Sequence, residues 1–127
     1  MHTIIFYPER NPSLEEIKNF VRSFPADGEW VTASRGVIES DEGRVYLDYD
    51  EHYRTYFDTY LDEQQRAELT ARLGFPPRLA IHLQVSNAYQ HSRELARTIC
   101  EALVSRWGGG WSNGANQAPD KTKDRDS

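Results

Sequence analysis

Apolar and polar residues recur with two different periods along this chain, and each change of period marks an expected element. His2 to Tyr7 is rich in β-branched and aromatic residues and is closed by Pro8, which predicts a short strand. Asn11-Pro12 is turn chemistry, and Ser13-Leu14-Glu15-Glu16 reads as a capping box, in which hydroxyl and carboxylate satisfy the orphan donors of a helix start. Leu14, Ile17, Val21 and Phe24 then follow at helical spacing on one face until Pro25 stops the helix.

Gly28 opens a second strand region, Glu29 to Ile38, carrying Trp30, Val31, Thr32, Val37 and Ile38. Ser40-Asp41-Glu42-Gly43 is a turn, and Arg44 to Asp50 is a third strand whose closeness predicts an antiparallel hairpin. Asp62 with Gln65 three residues on marks another capped helix start; this helix buries Leu69 and Leu73, and Gly74 and Pro76-Pro77 end it. Leu79, Ile81, Leu83 and Val85 alternate with Ala80, His82 and Gln84, the pattern of a strand with one strongly apolar face.

Ser92 is placed to cap the longest helix, Arg93 to Trp107, with Leu95, Ile99, Leu103 and Trp107 on its buried face. Gly108-Gly109-Gly110 breaks it, and Trp111 returns as a short strand or a packing anchor. From Ser112 onward no hydrophobe beyond alanine occurs, which predicts disorder. The expected organisation is one domain over 1–111 and a polar tail over 112–127, without internal repeats. The element order predicts an α+β fold of the ferredoxin-like β-α-β-β-α-β type, with helices on one face of a mainly antiparallel sheet plus a C-terminal helix.

Composition sharpens this picture. A chain of 127 residues suits one domain, and its three Trp, seven Tyr and five Phe supply large buried areas. The single cysteine, Cys100, excludes an internal disulfide framework and a cysteine zinc site, and inside a helix beside Ile99 it reads as a small hydrophobe. No apolar run approaches the ~20 residues of a membrane helix, and the N-terminus lacks a signal peptide's features, so a cytoplasmic location is expected. A net charge of −5 argues against binding a nucleic-acid backbone and permits a basic partner.

That charge is unevenly placed. Glu39 to Glu63 holds nine acids against Arg44 and Arg54, a formal charge of −7, so the remainder of the chain carries +2. Tyr46, Tyr49, Tyr53, Tyr56, Phe57 and Tyr60 are interleaved with those acids. Carboxylates among rigid amphipathic rings suit a protein interface: tyrosine buries area at low entropy cost, and carboxylates steer cationic partners. Asp48, Tyr49, Asp50, Glu51, Tyr53, Tyr56, Asp58 and Tyr60 are therefore the candidate partner-binding residues. The same pattern also describes a solvated strand edge whose tyrosines cover the core.

Candidates for catalysis are sparser. Asp48-x-Asp50-x-His52 would align two carboxylates and an imidazole on one strand face, but no second cluster completes a metal site, and no metal or cofactor is expected. His82 and His91 could act as general bases beside Asp48 or Glu94, yet no nucleophile elbow, phosphate loop or dinucleotide fingerprint accompanies them. Gly108-Gly109-Gly110 follows a helix, whereas phosphate-binding loops precede one. The alternative reading is a small enzyme or ligand-binding domain using His52 and His82 with nearby carboxylates, and a third is a regulatory or assembly subunit.

The apolar strand Leu79 to Val85, a polar loop, the amphipathic helix Ser92 to Leu103 and the run Arg106-Trp107-Gly108-Gly109-Gly110-Trp111 together resemble small bacterial immunity proteins of polymorphic or contact-dependent toxin systems. The resemblance covers the C-terminal third and is structural in type. It implies a non-catalytic protein that neutralises a cognate toxin by binding it, often through an acidic surface, with no catalytic residues to carry over. That the acidic, tyrosine-rich segment would occlude a basic toxin surface comes from charge and composition alone.

Overall fold

In the computed structural model, residues 2–41, 43–49, 62–86 and 91–113 are described. Among the described residues six strands and three helices follow one another: β1 (His2–Tyr7), α1 (Leu14–Ser23), β2 (Asp27–Trp30), β3 (Arg35–Glu39), β4 (Arg44–Asp48), α2 (Glu63–Leu73), β5 (Ile81–Val85), α3 (Ser92–Trp107) and β6 (Gly110–Asn113). The strands form one antiparallel sheet in the order β2-β3-β4-β5-β1-β6.

The two capped helices form as their sequences dictate. Ser13 Oγ accepts from Glu16 N–H, and the Glu16 carboxylate accepts from Ser13 N–H. Asp62 and Gln65 repeat this reciprocal pairing at the start of α2, and Gly74 closes that helix with φ of 87°. The longest helix departs from expectation. His91 occupies its cap position without a side-chain cap bond, and Ser92 is the first helical residue, its Oγ accepting from Arg44 N–H at 3.0 Å. Ser92 thus fastens α3 to the β3–β4 hairpin.

Alternation along the strands sorts residues onto two faces. On the front face Ile4, Phe6, Ile38, Val45, Leu47, Ile81, Leu83 and Val85 are buried beneath α1 and α3, which contribute Ile17, Phe20, Val21, Ile99, Leu103 and Trp107. Phe20 anchors the helix pair, its ring centroid 5.7 Å from those of both Phe24 and Trp107. On the back face Ile5, Tyr7 and Ala80 form a smaller cluster with Leu69 and Leu73 of α2.

Three expectations need correction. The α+β class and antiparallel sheet hold, but the ferredoxin-like order does not: β5 lies between β4 and β1, where that arrangement would pair β4 with β1 directly. The helices do not share one face, because the leucines of α2 meet the back-face residues of β1. The expected strand Glu29–Ile38 is two strands, folded at Thr32-Ala33-Ser34, where Val31 N–H and Thr32 N–H both donate to Arg35 O. Trp30 then lies over Gly36, where a side chain would strike the indole. Beyond Gly108-Gly109 the chain does return as a strand, and β6 reaches Asn113, two residues past the expected domain end at Trp111. Residues 114–127 of the expected tail lie outside the described residues, and no described helix is long and apolar enough to cross a membrane.

Candidate functional site

The back face of β2, β3, β4 and β5 is built from polar side chains in cross-strand rows. Strand register sets Asp27, Glu39 and Arg44 in one row, and Glu29, Val37, Tyr46, Gln84 and Thr3 in the next. Arg35, Asp48, His82 and Ile5 form the third. Each row is a set of directly opposed residues, whose side chains interact at sheet-pairing distance.

An ion pair holds each of the outer rows, and Tyr46 links the two. Arg35 grips Asp48 with both arms of its fork, Nε to Oδ1 at 2.6 Å and Nη2 to Oδ2 at 2.9 Å, a geometry in which charge and direction reinforce each other. The same guanidinium lies 5.0 Å from the centre of the Tyr46 ring. On the other side of Tyr46, Arg44 Nη1 donates to its hydroxyl at 3.4 Å while Nη2 donates to Glu39 Oε2 at 2.8 Å. Tyr46 therefore sits between two arginines, each held by its own carboxylate. Thr3 Oγ1 and Gln84 Oε1, 2.8 Å apart, extend the network to β1.

Asp48 is the one proposed partner-binding acid among the described residues, and its carboxylate is engaged by Arg35. Tyr49 does not stand on the surface. Only 3% exposed, it packs with the core, and its hydroxyl donates to Pro12 O at 3.0 Å. The reason was present in the sequence: Val45, Leu47 and Tyr49 share one phase of the two-residue period, and tyrosine buries its ring wherever its hydroxyl finds an acceptor. Asp50, Glu51, Tyr53, Tyr56, Asp58, Tyr60 and His52 lie outside the described residues. Arg35, Glu39 and Arg44 escaped sequence reasoning because only the register brings them beside Tyr46 and Asp48.

Among the described residues, His82 and His91 do not converge. His82 is opposite Asp48 on the back face, whereas His91 stands at the start of α3, on the helix-covered front, with Nδ1 3.3 Å from Glu94 Oε1. Cys100 is fully buried. Among the described residues no three His, Cys, Asp or Glu side chains gather as a metal site would require.

Burial lowers the pKa of His82 from its ordinary 6.5, and the Asp48 charge opposes that shift without reversing it. The unfolded chain therefore takes up the proton first on acidification. Stability from this group is complete above about pH 6.5 and is lost as pH falls below it. Urea midpoints measured from pH 7.5 to 5.5 should fall at the acid end for the natural chain and stay flatter for His82→Gln. Parallel declines in the two proteins would assign the effect elsewhere. No protein-family model matches the chain, and neither does any curated protein sequence or solved structure.

Proposed function

We propose that this chain is a non-catalytic protein-binding domain that neutralises a basic partner, in the manner of small bacterial immunity proteins. The single observation that carries this reading is the charge asymmetry: −7 over Glu39–Glu63 in a chain whose remainder is +2, with tyrosines threaded through the acidic part. Two features support it. Tyr49, midway along the acidic segment, is tied to the core through Pro12. Among the described residues, the groups an enzyme would use are dispersed, with His82 on the back face, His91 on the front and Cys100 buried.

The contact set is Asp50, Glu51, Tyr53, Tyr56, Asp58 and Tyr60, with Asp48 acting through its grip on Arg35. The decisive experiment takes the product of the gene encoded beside this one as binding probe. Asp50→Asn, Tyr53→Ala and Asp58→Asn combined should weaken that complex by about 100-fold, the scale of a few interface hot spots, while leaving the unfolding midpoint unchanged. Undiminished binding by this triple variant would sink the proposal. The alternative, a small enzyme or ligand-binding domain built on His82, has one observation in its favour: His82 and Asp48 are cross-strand partners.

A further inference from the structure

The margin of the sheet at β2 has properties that the acidic segment does not account for. Strand β2 pairs with β3 on one side, and no described strand pairs with its other side. The register fixes which backbone groups face outward. Val31 N–H donates to Arg35 O at 2.8 Å, in step with the pairs Glu29↔Val37 and Asp27↔Glu39. In an antiparallel ladder hydrogen-bonded pairs alternate with non-bonded ones, so residues 27, 29 and 31 turn their N–H and C=O toward β3. Gly28 and Trp30 turn theirs away from β3, to the margin where no described strand pairs.

Side chains along this margin alternate just as strictly. Trp30 and Gly28 face the core side, where an added Cβ on Gly28 would come within 1.8 Å of Val21 O on α1. Asp27 and Glu29 face the back and are exposed. Val31, next in the same phase, is 54% exposed and is the one exposed large hydrophobe among the described residues. Bare edges invite strand addition, and here the charges decide which strand is admitted. Two copies of β2 paired about a two-fold with Gly28 opposite Trp30 would set Glu29 against Glu29, so self-association in that register is opposed.

We infer that β2 is a docking edge for an extended cationic segment of another protein, which adds antiparallel as a seventh strand. Gly28 and Trp30 would exchange backbone hydrogen bonds with it. The positions opposite Asp27, Glu29 and Val31 are then non-bonded pairs, in which opposed side chains approach most closely. Read in its own direction, the incoming segment has an apolar residue opposite Val31, then a Lys or Arg opposite Glu29 and another opposite Asp27, each separated by one residue. This inference stands on the edge alone and is independent of residues 50–60.

The probe is the peptide acetyl-Thr-Val-Thr-Lys-Thr-Lys-Thr-amide, titrated into the full chain at low salt and followed by backbone amide shifts and hydrogen exchange. Shifts and slowed exchange at Gly28 and Trp30 are expected. N-methylation of the two peptide threonines opposite Trp30 and Gly28 should weaken binding at least tenfold. The double variant Asp27→Asn, Glu29→Gln should weaken it about tenfold, the sum of two cross-strand charge pairs. The triple variant at Asp50, Tyr53 and Asp58 should bind the peptide normally, which separates this site from the one proposed above. Equal affinity of the N-methylated peptide, equal affinity of a peptide with glutamate in place of lysine, or an absence of shifts at Gly28 and Trp30 at millimolar peptide would overturn it.

Discussion

Gly109→Ala is expected to lower the unfolding midpoint sharply, by about 4–5 kcal/mol of stability. Gly109 has φ of +100°, and a Cβ there would lie 1.9 Å from Tyr7 O, 3.0 Å from Tyr7 C and 3.1 Å from Glu9 N. All three atoms are backbone, at the point where β1 ends opposite the start of β6, so no side chain can turn aside to make room. The residue also stands just beyond the end of α3, where Arg10 N–H donates to Trp107 O at 2.9 Å and the Arg10 guanidinium to Arg106 O. Relieving the clash would pull this junction apart. Strained φ alone costs about 1–3 kcal/mol, and a backbone collision raises the total to about 4–5 kcal/mol, against the ~5–15 kcal/mol that holds a typical domain together. Gly108 provides the internal control. Its φ of +73° is as restrictive, but the nearest atom to an added Cβ is Glu9 Oε1 at 3.0 Å, at the far end of a side chain that can move. Gly108→Ala should therefore cost only about 1–3 kcal/mol. Equal losses in urea denaturation of the two variants would show that the approach to Tyr7 contributes nothing.

Phe6→Ala should cost about 3–5 kcal/mol, because the ring is fully buried on a strand with neighbours on both sides. Nothing solvent-facing can fill the space it leaves: α1 and α3 are already fastened by Phe20 against Trp107 and by Ser92 on the hairpin. The contrast is Leu69→Ala. Leu69 is 9% exposed at the rim of the smaller back-face cluster, and α2 can settle inward, so a loss near 2 kcal/mol is expected, the low end for such truncations. Calorimetric melting of both variants at one pH checks the ranking. A larger loss for Leu69→Ala would mean that the back-face cluster, and not the layer beneath α1 and α3, dominates stability.

What could be read from sequence was what depends on residues close together in the chain. The reciprocal bonds of Ser13 with Glu16 and of Asp62 with Gln65, and the left-handed stop at Gly74, are consequences of local chemistry. So is the alternation of Ile81, Leu83 and Val85 with His82 and Gln84. The turn at Thr32-Ala33-Ser34 was concealed because it lacks glycine and asparagine, the residues that usually announce a hairpin. Strand order was concealed for a different reason: the placement of β5 between β4 and β1 is a choice among pairings of similar local quality, made by the whole core. The site divides in the same way. The acidic, tyrosine-rich character of Glu39–Glu63 is visible by inspection. That Arg35 holds Asp48, and that Arg44 and Arg35 flank Tyr46, depends on a register joining residues 13 positions apart.

The position of β1 has a consequence for the order in which the chain can acquire structure. Both of its neighbours come from the second half of the sequence, with Thr3 meeting Gln84 and Phe6 meeting Trp111. During synthesis the hairpins β2–β3 and β3–β4 can close as soon as they emerge. Ile4, Ile5, Phe6 and Tyr7, made before β5, wait for a partner until β5 leaves the ribosome. Such long-range closure raises contact order and slows folding. It also keeps an aromatic, β-branched segment available to chaperones, or to another nascent chain, until β5 emerges.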